Sequence, residues 1–116
     1  MPIIEVTYAP SVSADTLREM SLRLPHLVSV AVECPEEPYD GNLQPGDAEV
    51  RFRQWGPFDR GGLEVVVEVK SKFFPSRADN RQERVERLHR EIEKTFGLAE
   101  VGVYLSLPVA AWEQSE

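Results

Sequence analysis

Proline stands second in this chain, directly ahead of the apolar run Ile3-Ile4-Glu5-Val6-Thr7-Tyr8. A proline has no amide hydrogen for a sheet ladder, so such a run begins at a sheet edge or at a strand's first position. That placement alone would account for the residue. A chemical reading stands beside it. Removal of Met1 would leave Pro2 as a secondary amine held at the end of a strand, where it is a candidate base. Other carriers of chemistry are sparse. Cys34 is the single cysteine, which excludes a disulfide framework and a thiolate metal site; it reads as small apolar filler. His26 and His89 lie far apart and share no ligand spacing, so no metal role is expected for them.

An amine needs a scaffold to be useful, and the composition limits which one. The length of 116 residues predicts a single domain spanning 1–116. Apolar residues make up 41% of the chain, enough for a core, although a domain this short gains from oligomerisation. The formal charge of −7, with no basic run interleaved with aromatics, argues against nucleic acid as a partner. No stretch approaches the ~20 apolar residues of a membrane-spanning helix, and the start lacks the basic and apolar regions of a signal peptide. The expectation is a cytoplasmic protein with no membrane partner.

The elements follow from periodicity. Residues 3–8 are β-branched and bounded by Pro10, and predict a strand. Leu17, Met20, Leu24, Leu27 and Ala31 recur at helical spacing, with Ser13 as N-cap. Pro25 interrupts this stretch, so either the helix kinks or restarts there and runs to about Cys34, or 27–34 is a separate buried strand; the continuing phase favours the helix. Residues 35–47 are dense in Pro, Gly, Asp and Asn and predict a loop, its acidic start solvated. Residues 48–55 alternate, with Val50 and Phe52 against Glu49, Arg51, Arg53 and Trp55. After a turn over 56–62, residues 63–73 alternate again, with Leu63, Val65, Val67 and Val69 on one side. Residues 76–97 predict the clearest helix, with a capping-box pattern at Ser76 and Asp79, an apolar stripe of Val85, Leu88, Ile92 and Phe96, and a stop at Gly97. A last strand spans 101–107, closed by Pro108.

The order is β-α-β followed by β-α-β. Residues 4–19 and 67–83 both run strand, Pro-Ser, Ala-Asp, helix, so the halves 1–62 and 63–116 read as copies of one unit. The fold class is α+β: two layers, one mixed sheet, both helices on one face. The other face would carry Arg51, Arg53, Glu64, Glu68 and Lys70 beside Val66 and Trp55. That mixture suits a polar surface between subunits.

Two β-α-β units behind Met1-Pro2 resemble the tautomerase superfamily. Pro2 matches its N-terminal proline. Val50-Arg51-Phe52 resembles a second-strand pattern whose arginine contacts substrate. Phe58-Asp59-Arg60-Gly61-Gly62 resembles the turn whose phenylalanine walls the active site. Arg77-Ala78-Asp79 resembles the helix entry that carries a second binding arginine, a position held in the first repeat by Val12. The resemblance implies a homotrimer, no cofactor and no metal. It also implies proton transfer on a small carboxylate-bearing keto or enol substrate. Decarboxylase or hydratase chemistry, or a catalytically inactive trimeric binding protein, are the alternatives.

On that reading, Pro2 is the catalytic residue and Arg51, Arg77, Phe58 and Trp55 bind substrate. An ordinary α-amino group titrates at about 7.7–8.0, and a secondary amine is more basic. Neighbouring arginines and burial would both disfavour its protonated form and poise it as a general base. The same guanidinium groups would grip a carboxylate or the oxygen of a developing enolate. Phe58 and Trp55 would exclude water.

Overall fold

The computed structural model describes residues 2–115. Strands β1 (Ile3–Tyr8), β2 (Glu49–Gln54), β3 (Val65–Lys70) and β4 (Val101–Ser106) form one sheet in the order β2-β1-β3-β4. Helix α1 (Ala14–Val32) connects the parallel pair β1 and β2. Helices α2 (Pro75–Asp79) and α3 (Arg81–Phe96) connect the parallel pair β3 and β4. The antiparallel pairing of β1 with β3 joins the two β-α-β units at the sheet centre.

Period-two alternation decides which face is buried. Ile4 and Val6 of β1 and Val65, Val67 and Val69 of β3 point towards the helices and are fully or almost fully buried. Met20, Leu24 and Val28 of α1 and Leu88 and Ile92 of α3 complete that core. The opposite face is not covered by any described element. Across it, paired positions form rows: Arg51, Glu5, Glu68 and Tyr104 in one, and Arg53, Thr7, Val66 and Gly102 in the next. Tyr104 is 67% exposed.

Local chemistry sets the ends of the elements. The Ser13 side chain accepts from the Thr16 amide and starts α1. The helix then runs through Pro25 to Val32, so the strand alternative for 27–34 is overturned. The apolar stripe explains it: Leu24, Val28 and Ala31 are buried on one face, and a strand there would split that set between two faces. Gly97, with φ of +65°, stops α3 in the left-handed conformation that glycine adopts without strain.

Two expectations are corrected. The helix over 76–97 is two helices broken at Asn80, and no capping box forms. Pro75 takes the first helical position, where its missing amide hydrogen costs nothing, and Phe74 becomes the cap. Ser76 is therefore inside the first turn, and its hydroxyl donates to the Glu36 carboxylate at 2.7 Å. Leu63 lies before β3 and escapes its alternation. It rests against Gly102 on the uncovered face, where a Cβ on residue 102 would come within 2.7 Å of Leu63 Cδ1.

Leu24 and Leu22 sit two positions apart on α1, the first buried and the second 69% exposed. Leu24→Ala should lower unfolding free energy by about 2–5 kcal/mol through cavity formation. Leu22→Ala should stay within about 0.5 kcal/mol of the parent. Urea unfolding at one fixed protein concentration distinguishes the two.

Candidate active site

The start of β1, the end of β3 and the loop after α1 meet at one end of the sheet. Pro2 is buried there, and its carbonyl accepts from the Glu49 amide at 3.1 Å, extending the β1–β2 ladder. It lines an open cavity of about 460 Å³. Ser29 and Val32 of α1 form part of the wall. Ser71 and Arg77 come from the far side, and the loop over residues 37–47 closes the rest.

Arg77 is 1% exposed. Its Nε donates to the Val32 carbonyl and one terminal nitrogen to the Lys72 carbonyl, each at 2.6 Å. The other terminal nitrogen meets the Glu37 carboxylate at 3.1 Å. The guanidinium also lies 5.3 Å from the centre of the Phe74 ring. Val32 ends α1, whose last carbonyls have no partner within the helix. Arg77 satisfies one of them. Arg84 satisfies another, donating to the Ala31 carbonyl at 3.0 Å as well as to that of Glu33 at 2.6 Å. A helix with no basic residue in its own last turn thus takes two cations from the second β-α-β unit.

The loop is held at several points. The Tyr39 hydroxyl is 2.7 Å from His26 Nδ1, and the Tyr39 amide donates to Glu33. Glu36 is tied to Ser76 of α2. The Ser76 hydroxyl holds the Glu36 carboxyl below its ordinary range, with smaller help from the backbone amide of Glu36, the Cys34 side chain and the Arg77 charge. Within the cavity wall, Ser71 Oγ is buried and meets no hydrogen-bond partner among the described residues.

The structure brings two of the five expected site residues, Pro2 and Arg77, to this cavity. Arg51 is exposed on the uncovered sheet face, paired in register with Glu5. Trp55 lies at the other end of β2, half-buried beside a second hollow of about 340 Å³ on that face. Phe58 is 92% exposed. The sequence reading passed over Ser29, Ser71 and the loop residues Glu37, Tyr39, Asp40 and Asp47, all of which line the cavity. Composition identified 35–47 as loop, but a loop's signature does not say which surface it folds across.

The sheet order and the crossover helices give a fold that several solved structures share. Malonate semialdehyde decarboxylase has it, with a TM-score of 0.69 at 12% identity over 98% of this chain and 91% of that one. So does MIF2 of Leishmania major, at 0.57 and 16% identity over 97% and 93%. A fused 4-OT solved as a symmetric trimer matches at 0.60 and 11% over 91% and 85%. No protein-family model matches the sequence, and no curated protein matches it by sequence. Among the described residues no helix is long and apolar enough to cross a membrane.

Removing the Arg77 side chain would leave the Val32 and Lys72 carbonyls without their donor, the first of them buried, and open a cavity, while Glu37 is exposed enough to be solvated. Arg77→Ala should cost about 2–4 kcal/mol of unfolding free energy. Arg18→Ala, which removes an exposed pair with Asp15, should cost less than about 1 kcal/mol. Calorimetry of both variants checks this. Because the folded-state pKa of Glu36 is lowered, its contribution is present above the ordinary carboxylate range and disappears as pH falls through the lowered value. Ser76→Ala should move that titration upward, as read by carbon NMR of the Glu36 carboxyl.

Proposed function

We propose that the protein is a cofactor-independent tautomerase in which Pro2, freed by removal of Met1, takes a proton from carbon beside a carbonyl and returns it elsewhere. The observation that carries this reading is that Pro2 lines an open cavity at the start of β1 in a tautomerase fold. The proline ring and its ladder bond from Glu49 hold the nitrogen at a defined place, and a general base so positioned contributes about 10²–10⁴ in rate.

The working assembly on this reading is a homotrimer. The uncovered face presents Ile3, Val66 and Tyr104 among charged groups, and β2 and β4 are open edges. An uncovered apolar patch and free edges favour association with copies of the chain. Arg51, Trp55 and Phe58 then belong to contacts between subunits, and Arg51 is the arginine that a neighbouring copy would supply to the Pro2 cavity. A carboxylate-bearing substrate depends on that supply, since three of the five donors of the Arg77 guanidinium already have partners within the chain.

Two preparations test the base. One begins at Pro2 and the other retains Met1, both verified by mass. Deuterium uptake beside the carbonyl of cyclohexanone and ketonisation of phenylenolpyruvate should be faster with the first by about 10²–10⁴. Circular dichroism should be the same for both. Equal turnover by the Met1-retaining form would remove Pro2 from the mechanism. Light scattering should return three copies, and a stable monomer at micromolar concentration would overturn the trimer.

A further inference from the structure

The segment that follows β4 joins two walls of the Pro2 cavity. Ser71 and Arg77 line one wall. Between them in sequence, the Phe73 amide donates to the Pro108 carbonyl at 2.9 Å, where the segment leaves the sheet. Leu43 and Asp47 line the other wall, in the loop after α1. Gly46, next to Asp47, has φ of +90°, a left-handed conformation that glycine takes without strain. A Cβ on residue 46 would overlap the side-chain amide of Gln114. The far end of the segment therefore rests on the loop at a point where bare backbone admits it. Trp112 orients this contact. Its indole Nε1 donates to Gln114 Oε1 at 2.7 Å, which leaves the amide nitrogen as the atom nearest the Cβ position of Gly46.

The hold is weak. Residues 108–115 are all exposed and form neither helix nor strand. Val109 is 92% exposed and Trp112 52%. A segment with so little buried surface opens at low free energy. The ties of Tyr39 to His26 and of Glu36 to Ser76 fasten the start of the loop, and Gln114 fastens its last turn, where the Asp47 amide donates to the Gln44 carbonyl.

We propose that residues 108–115 are a releasable strap that controls access to Pro2. While Gln114 rests on Gly46, the loop stays against the cavity and Pro2 stays buried. When the strap lets go, the loop swings outward and uncovers the Pro2 nitrogen. The device concerns access alone, so it holds whatever chemistry that nitrogen performs.

Three variants of the chain beginning at Pro2 test the strap: deletion of residues 109–116, Trp112→Phe and Gln114→Ala. The deletion keeps the Pro108 carbonyl that Phe73 uses, and Trp112→Phe keeps a ring while changing no charge. Amide hydrogen exchange reads the loop at Gln44 and Asp47, with Val67 of β3 as the reference. Exchange in the loop should speed up about tenfold in the deletion and in Gln114→Ala, with Val67 unchanged. Trp112→Phe, which removes one hydrogen bond, should speed it about threefold. Access is read at one fixed pH by addition of methyl vinyl ketone to the Pro2 amine. The mass of the tryptic peptide ending at Arg18, which excludes Cys34, reports it. Modification should quicken in the same order as loop exchange. Neither readout requires turnover, so a failed strap leaves the assignment of Pro2 as base standing, and a failed base leaves the strap. Unchanged loop exchange in the deletion would overturn the proposal, as would faster loop exchange with unchanged modification of Pro2. A different number of copies by light scattering after the deletion would place the segment against a neighbouring copy and overturn it too.

Discussion

A guanidinium buried between three acceptors is the contact on which one end of this molecule depends. Arg77 joins the last carbonyl of α1, the chain leaving β3 and the loop that follows α1. Desolvating that charge is expensive, and only good geometry with several partners offsets it. The carbonyl at the helix end is a favourable acceptor because the aligned peptide dipoles concentrate negative charge there. Arg84 repeats the arrangement on the two flanking carbonyls, those of Ala31 and Glu33. Together they seat the second β-α-β unit on the end of the first helix, and the cavity beside Pro2 is the space this junction leaves.

The same contact changes what Arg77 offers to chemistry. A guanidinium has five donors, and three are taken within the chain. Its charge is shared with Glu37. A residue type and a helix-entry position cannot distinguish an arginine that waits for a substrate from one that holds the wall behind it. Fold likeness does not decide this either, because a scaffold hosts several chemistries and each is set by the site. Much of the cavity's polar lining comes from the loop, which supplies Glu37, Tyr39, Asp40, Asn42 and Asp47.

The uncovered sheet face is the other organising feature. Its rows mix charged, polar and aromatic residues, with Val66 and Ile3 among them. Such a face is costly as free surface for its apolar part and costly as a dry interface for its charges, and a partly polar contact between subunits reconciles the two. Arg51, Trp55 and Phe58 lie on or near that face, away from the cavity of their own chain.

Local chemistry in the sequence determined most of the elements. Alternation in β2 and β3 specified which residues turn inward, Ser13 and Gly97 specified helix ends, and the repeated strand-helix pattern specified the layered sheet. These are nearest-neighbour and periodic effects, and a single chain displays them directly. Even there, Pro75 displaced the expected cap, and the break at Asn80 divided one helix into two. The tertiary structure decided what periodicity does not carry: that the acidic loop folds over Pro2, that the Ser71 hydroxyl is buried with no partner among the described residues, and that Arg77 is committed to holding the junction. Those facts depend on contacts between residues some 40 positions apart, such as Arg77 with Glu37 and with Val32. A residue's type states which bonds it is able to make; only the packed chain determines which of them are already made.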